Sequence, residues 1–258
     1  MFGALTRQRI PIAHIRVHAP ARETAWTLGY SLFYIAAAVA TGLLIRRFPI
    51  PIWGASEFLQ DFWYSGVFKI GLLLVVPWFV FRRLGYRASD LTFDWRPTFR
   101  RLVSMALGFV GGNLLNLGRI ASVRAAAEAL PPAEAAARIG LGLALALFQA
   151  GLPEEFFYRG LLQTRLERTA GRPIAILATA LLFTAWHLPT RFLLAHGVEG
   201  EAGNFGSILL GTGAPVFLVG LALGLAWDRW RNLPVLIAVH TGIDAIPIVS
   251  SMLKAPAF

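Results

Sequence analysis

The sequence contains no cysteine and has few charged residues for its size. Without cysteine the chain can form no disulfide, and any metal site would need histidine, carboxylate or amide ligands. Charged residues make up 15% of the 258 residues, whereas hydrophobic residues make up 56% and the mean hydropathy is +0.60. Such a chain has too few polar side chains to cover an ordinary water-soluble fold. The composition therefore predicts a protein embedded in a lipid bilayer.

The basic residues are distributed in a way that is typical of membrane proteins. The net charge of +10 comes mostly from arginine, in short clusters between apolar segments. Such clusters orient transmembrane helices and contact anionic lipid. They form no continuous basic face, so we expect no nucleic-acid binding. We also expect no removable signal peptide, because the N-terminal arginines precede no short apolar core with a cleavage site.

Apolar segments of about 20 residues, the length that crosses a bilayer, occur seven times. They cover residues 25–45, 62–81, 102–118, 139–166, 173–195, 207–227 and 233–253. Lys69 lies in the second segment, near enough to one end to reach the bilayer surface. The third is rich in glycine (Gly108, Gly111 and Gly112), which allows close helix packing.

These segments predict an all-α bundle of about seven to eight transmembrane helices around a buried polar cavity. The whole chain, residues 1–258, is predicted to be one membrane domain. Within it, residues 25–118 hold three N-terminal spans and residues 139–253 hold the motif-bearing core.

Loop charges predict the orientation of the chain. The connection between residues 82 and 101 contains six arginines, whereas that between residues 196 and 206 contains two glutamates and no lysine or arginine. The positive-inside rule places the first connection in the cytoplasm, together with the N-terminus. The arginines at 46–47 and 119–124 then lie outside, against the rule. We expect the protein to be in the inner membrane of a bacterial cell.

Ionisable side chains within the spans are the candidates for chemistry. Each costs about 2.5–3.5 kcal/mol to insert into lipid, so each needs a partner or a function. Glu155 and Arg159 are four residues apart on one helical face and can form an ion pair. Glu154 is turned by about 100° from Glu155, which leaves it unpaired and suited to act as a general base. His240 and Asp244, also four apart, can enter a common site, and His187 lies at a comparable depth.

Three motifs in this region resemble a known family. Residues 154–159 (EEFFYR) are similar to E-E-x-x-x-R, residues 183–187 (FTAWH) to F-x-x-x-H, and His240 with Asp244 to H-x-x-x-N. This order of motifs is typical of the CAAX protease and bacteriocin-processing family of intramembrane endopeptidases. The one departure is Asp244, where the commonest residue of the family is asparagine.

The resemblance implies a glutamic-type protease that uses no cofactor. Glu154 would take a proton from a water that His187 helps to hold. His240, with Asp244, would stabilise the oxyanion, while Glu155 and Arg159 would hold the motif helix in register. Asp244 would stay protonated, orient His240 through a ring N–H, or mark altered chemistry. The substrate would be a peptide or a membrane-anchored protein, cut near the membrane or near its C-terminus.

The sequence also allows two alternative functions. One is an enzyme that uses the same residues in a different way, and the other is a protein without catalytic residues. Glu154, His187 and His240 could bind a catalytic zinc ion, although the sequence lacks an H-E-x-x-H pair. A non-catalytic membrane protein that binds a peptide, of the immunity type, is the other alternative. A transporter built from paired halves is disfavoured, because we find no internal repeat.

Overall fold

The computed structural model describes residues 16–47, 67–91, 98–194 and 200–255, and within these ranges the chain is helical and contains no strand. Predictions for other residues, such as those for Arg7 and Arg9 near the N-terminus, fall outside the described part of the chain. The eight principal helices are α1 Pro20–Arg47, α2 Val76–Arg83, α3 Phe99–Asn113, α4 Ile120–Glu128, α5 Pro132–Ala170, α6 Arg172–Leu194, α7 Phe205–Trp230 and α8 Leu233–Lys254. The all-α prediction is confirmed.

Several helix ends are set by local chemistry. Glu23, in the first turn of α1, accepts hydrogen bonds from the backbone N–H groups of His18 and Ala19. Thr98 caps α3, and Asn204 caps α7, each accepting from a backbone N–H three residues later. Such caps satisfy N–H groups that have no partner in the first turn of a helix. At the C-terminal end of α5, Gly171 has a φ of +81°, a left-handed conformation that glycine adopts without strain.

Within the described residues, five helices are long and apolar enough to cross a bilayer: Pro20–Leu44, Pro132–Ala170, Arg172–Leu193, Phe205–Trp230 and Leu233–Lys254. They coincide with the first, fourth, fifth, sixth and seventh predicted spans. The second predicted span is described only from residue 67, and in the third the α-helix has just 15 residues before it tightens into the 3-10 turns Leu114–Arg119. The membrane bundle is thus supported, whereas the count of seven to eight spans remains a prediction.

The motif helix α5 continues without interruption through Glu154, Glu155 and Arg159 to Ala170. The sequence predicted a single span over residues 139–166 that contains these charges, and the continuous helix confirms it. Two π-helical segments, Ala146–Gly151 and Glu155–Gln163, widen the helix on either side of Glu154. Segments of this kind are often found at functional sites.

The chain divides into two compact units. The first comprises Met1–Ile35, Arg87–Phe93 and Tyr158–Leu233, and the second comprises Ala36–Tyr86, Asp94–Phe157 and Pro234–Phe258. The division falls within the E-E-x-x-x-R motif. Glu154 and Glu155 belong to the second unit and Arg159 to the first.

In the first unit, α6 and α7 pack closely along two glycines of α7. A Cβ atom at Gly220 would lie 3.2 Å from the Phe183 ring, and one at Gly224 would lie 3.2 Å from Oε1 of Gln163. Arg159 and Gln163, one helical turn apart on α5, donate to the carbonyl groups of these same glycines, at 3.2 and 3.0 Å. The space beside Gly220 and Gly224 is thus filled by the neighbouring helices α5 and α6.

In the second unit, α3 and α5 approach α8 through glycine. A Cβ atom at Gly112 would overlap the α8 backbone, lying 2.8 Å from the Ile243 nitrogen, and one at Gly151 of α5 would lie 2.9 Å from the Ile237 carbonyl oxygen. The predicted role of glycine in close packing therefore holds for Gly112, whereas a Cβ at Gly111 would meet nothing within 4 Å.

Candidate active site

Glu154 is the centre of a buried polar cluster in the second unit. Its side chain is 1% exposed, and its Oε1 accepts a hydrogen bond of 2.6 Å from the Lys69 ammonium group. Its Oε2 makes no hydrogen bond to the described residues and lies 3.7 Å from Nε2 of His240. The prediction that Glu154 has no charged partner is wrong. It has one on Oε1, while Oε2 keeps its capacity to accept.

The Lys69 side chain was predicted to reach the bilayer surface, and this prediction is wrong. Its side chain is only 9% exposed, and its ammonium group is turned to Glu154 instead of to the bilayer surface. The pairing satisfies two ionisable groups that would each be costly alone in an apolar environment. The signal was present in the sequence, because a lysine within an apolar segment needs a partner and Glu154 was left without one.

His240 faces carboxylates with both ring nitrogens. Its Nδ1 lies 2.6 Å from Oε1 of the fully buried Glu155, and its Nε2 lies 3.3 Å from Oδ2 of Asp244. A carboxylate can only accept, so Nδ1 carries a hydrogen and donates it to Glu155. The neutral ring would donate at Nδ1 alone, and the imidazolium would donate at both nitrogens.

Glu155 therefore has a role that the motif spacing did not suggest. We predicted that it pairs with Arg159 to hold the helix in register. In the structure it orients His240, from a position 85 residues away in sequence. The pairing with Arg159 stays a prediction.

Asp244 is the most open member of the cluster, with a side chain that is 33% exposed. Its contact with Nε2 of His240 matches the reading in which it orients the imidazole. The α8 backbone next to Asp244 is held by a hydrogen bond of 2.7 Å, which Asn116 donates to the carbonyl group of the preceding Ile243.

The small residue before the motif explains how α5 and α8 come together. Gly151 precedes Glu154 by nearly one helical turn and faces Ile237 and Thr241 of α8. A side chain at this position would overlap both residues. The glycine lets α8 approach α5, which places His240, one turn after Ile237, beside the two glutamates.

The other two predicted site residues, His187 and Arg159, belong to the first unit and share a contact with Phe183. Nδ1 of His187 lies 2.7 Å from the Phe183 carbonyl oxygen, so Nδ1 carries the hydrogen and Nε2 carries the lone pair of the neutral ring. The His187 ring also lies 3.9 Å from the ring of Trp186. The Arg159 guanidinium group lies 4.5 Å from the centre of the Phe183 ring, in a cation–π geometry.

The phenylalanine of F-x-x-x-H thus has a physical role that the sequence did not reveal. Through its carbonyl group it fixes the tautomer of His187. Through its ring it supports Arg159 and packs edge-to-face against Tyr158. The motif spacing alone named only the histidine.

The alternative zinc site would need several histidine and carboxylate side chains to converge on one point. Among these, no group of three or more histidine, aspartate and glutamate side chains is arranged to hold a metal ion. Zinc binding by Glu154, His187 and His240 stays an untested alternative.

The family described as type II CAAX prenyl endopeptidase Rce1-like matches residues 137–246 of the chain. The matched segment contains all three motifs. Over residues 137–246 the chain is similar to this Rce1-like family. No curated protein and no solved structure matches the chain.

The Rce1-like segment begins in α5 and ends in α8, so it includes all six predicted site residues, and α1 to α4 lie before it. This match and the apolar helices indicate an integral membrane protein that is similar to a family of proteases. The match suggests CAAX-type endopeptidase activity toward a peptide or protein substrate in a membrane. Lys69 lies outside the matched segment.

Proposed function

We propose that this protein is an intramembrane endopeptidase in which Glu154 activates the water that attacks the substrate. The observation that carries the proposal is the asymmetry of the Glu154 carboxylate. One oxygen is bound to Lys69, and the other accepts no hydrogen bond from the described residues while lying close to His240. A buried carboxylate in this state has the geometry that a general base requires.

The reaction follows from these positions. Glu154 Oε2 accepts a proton from the water as the water oxygen attacks the scissile carbonyl carbon. The tetrahedral intermediate carries a negative charge on the former carbonyl oxygen, and an N–H at Nε2 of His240 stabilises that charge. Glu154 then gives its proton to the leaving nitrogen, and the C–N bond breaks to give an amine and a carboxylic acid, which loses its own proton to the solvent after release.

Glu155 and Asp244 act through His240 in this mechanism. Glu155 accepts the hydrogen of Nδ1 and fixes the ring, whereas Asp244 keeps Nε2 in place before a substrate enters. His187 and Arg159 enter the proposal through the motifs of the family. We expect His187 to bind the attacking water and Arg159 to stabilise the motif helix.

The experiment is hydrolysis of membrane-anchored peptides by the purified protein in nanodiscs. One peptide carries a prenylated cysteine near its C-terminus, and a matched peptide is anchored by an apolar helix instead. Wild type is compared with Glu154→Ala, His187→Ala and His240→Ala, with and without a strong chelator. We expect cleavage by wild type alone, at a rate that the chelator leaves unchanged.

The alternatives predict different results in the same assay. Loss of wild-type cleavage on chelation, restored by zinc, would identify a metalloprotease. A cellular phenotype that survives Glu154→Ala, with no cleavage of either peptide, would identify a peptide-binding protein. We further propose that the protein resides in a bacterial inner membrane with its N-terminus in the cytoplasm.

A further inference from the structure

Lys69 is an unusual choice of residue in this chain. Of the 24 basic residues, 22 are arginines, and the two lysines are Lys69 and Lys254. Lys254 is exposed at the end of α8, whereas Lys69 is buried against Glu154. Two other buried ion pairs among the described residues use arginine, namely Arg165 with Glu23 and Arg231 with Glu167.

The chemistry of the two cations explains why lysine suits this position. An arginine guanidinium presents a planar fork of N–H donors that commonly binds both oxygens of a carboxylate. A lysine ammonium is a compact charge that can bind a single oxygen. The Lys69 ammonium binds Oε1 of Glu154 at 2.6 Å, and Oε2 is left to accept from another group.

The location of Lys69 supports a role beyond charge balance. It lies one residue before the π-helical segment Ile70–Val75, on a part of the chain that precedes the Rce1-like segment. The α8 contacts hold His240, and the lysine holds the opposite side of the Glu154 carboxylate. Together they fix the direction in which Oε2 points.

We propose that Lys69 is a positioning residue that binds Glu154 through one carboxylate oxygen and keeps the other oxygen available for the attacking water. This inference rests on the proposed function, because it assigns Lys69 to the activation of Glu154. Lys69 itself contacts neither the water nor the substrate in this role. Its loss should therefore change kcat and leave KM nearly unchanged.

The test compares Lys69→Met and Lys69→Arg with wild type in the peptide assay, with the thermal unfolding temperature measured for each. In Lys69→Met we expect kcat to fall by about 100-fold, the scale of a misplaced catalytic group, at constant KM. In Lys69→Arg we expect wild-type thermal stability but a kcat that remains low, because the guanidinium fork occupies both oxygens. Lys254→Met is the matched control and should behave as wild type.

Each result decides the inference. A wild-type kcat in folded Lys69→Met, or in Lys69→Arg, overturns it. If Lys69→Met does not fold, Lys69→Arg retains the charge and still decides between a positioning role and simple neutralisation. Failure of the proposed function is separate, since wild type and Glu154→Gln would then hydrolyse the peptide equally, whatever residue stands at position 69.

Discussion

At the scale of single residues, the most informative position is Asp244, where the family most often has asparagine. The structure places its carboxylate against Nε2 of His240, and Nδ1 of the same ring is bound to Glu155. His240 is thus held from two sides. The role of Asp244 that this geometry supports is to accept a hydrogen bond, which an amide oxygen can do equally well.

We therefore predict that Asp244→Asn keeps kcat within about tenfold of wild type, the equivalent of one ordinary hydrogen bond. Asp244→Ala should reduce kcat by about 100-fold, because His240 loses its orientation. Steady-state hydrolysis of the anchored peptide measures both. If the asparagine variant were as impaired as the alanine variant, the negative charge of Asp244 would be required and the orienting role would be wrong.

The residues of the cluster differ in how far sequence could predict their contacts. His240 and Asp244 were expected to meet, because residues four apart on a helix share a face. The contacts of Lys69 with Glu154, and of Glu155 with His240, join residues 85 apart in sequence. Spacing within one helix carries no information on which helix lies opposite, so these partners required the three-dimensional structure.

At the scale of helices, glycine decides how α3 and α8 pack. Gly112 lies against the α8 backbone at Ile243, whereas the adjacent Gly111 faces no atom within 4 Å. The two positions form a matched pair, since the same substitution adds the same methyl group to neighbouring residues of one helix.

We predict that Gly112→Ala destabilises the protein by about 1–3 kcal/mol, the usual cost of overpacking, because α8 must move to admit the methyl group. That movement would also displace His240 and lower activity. Gly111→Ala should change stability by no more than about 1 kcal/mol in either direction. Thermal unfolding in one detergent measures both variants. Equal stability of the two would show that the close approach of α3 to α8 is not required.

The helices themselves were largely predictable. Helix α1 ends at Arg47 and α2 ends at Arg83, each close to the predicted end of its span at residues 45 and 81, and the motif helix runs through its charges. The π-helical segments around Glu154 were not predicted. An apolar pattern fixes which segments are helical, but an extra residue in one turn changes the pattern too little to be recognised.

At the scale of the whole molecule, the proposed intramembrane activity depends on how the chain crosses the membrane. In the part of the chain that the structure describes, five helices are long and apolar enough to span it. Large apolar side chains such as Leu107, Leu210 and Phe79 are exposed on the helices. The number of spans and the orientation remain predictions from hydropathy and loop charge. The absence of cysteine makes them simple to test, since every introduced thiol is unique.

We predict that a thiol at Ala202→Cys, in the exposed connection before α7, reacts with an impermeant maleimide in intact bacterial cells. A thiol at Ser89→Cys, near the arginine-rich connection, should react only after the cells are permeabilised. Both residues are exposed, so a difference in labelling reports the side of the membrane. Labelling of Ser89→Cys in intact cells, with protection of Ala202→Cys, would reverse the proposed orientation.

The most direct test of the central claim is the hydrolysis rate of Glu154→Gln relative to wild type, with a membrane-anchored peptide in nanodiscs. Glutamine preserves the size of the side chain and its contact with Lys69 but cannot accept a proton from water. If Glu154 is the general base, kcat should fall by about 10²–10⁴-fold while the variant stays folded. A folded Glu154→Gln protein that cleaves the peptide at the wild-type rate would contradict the account.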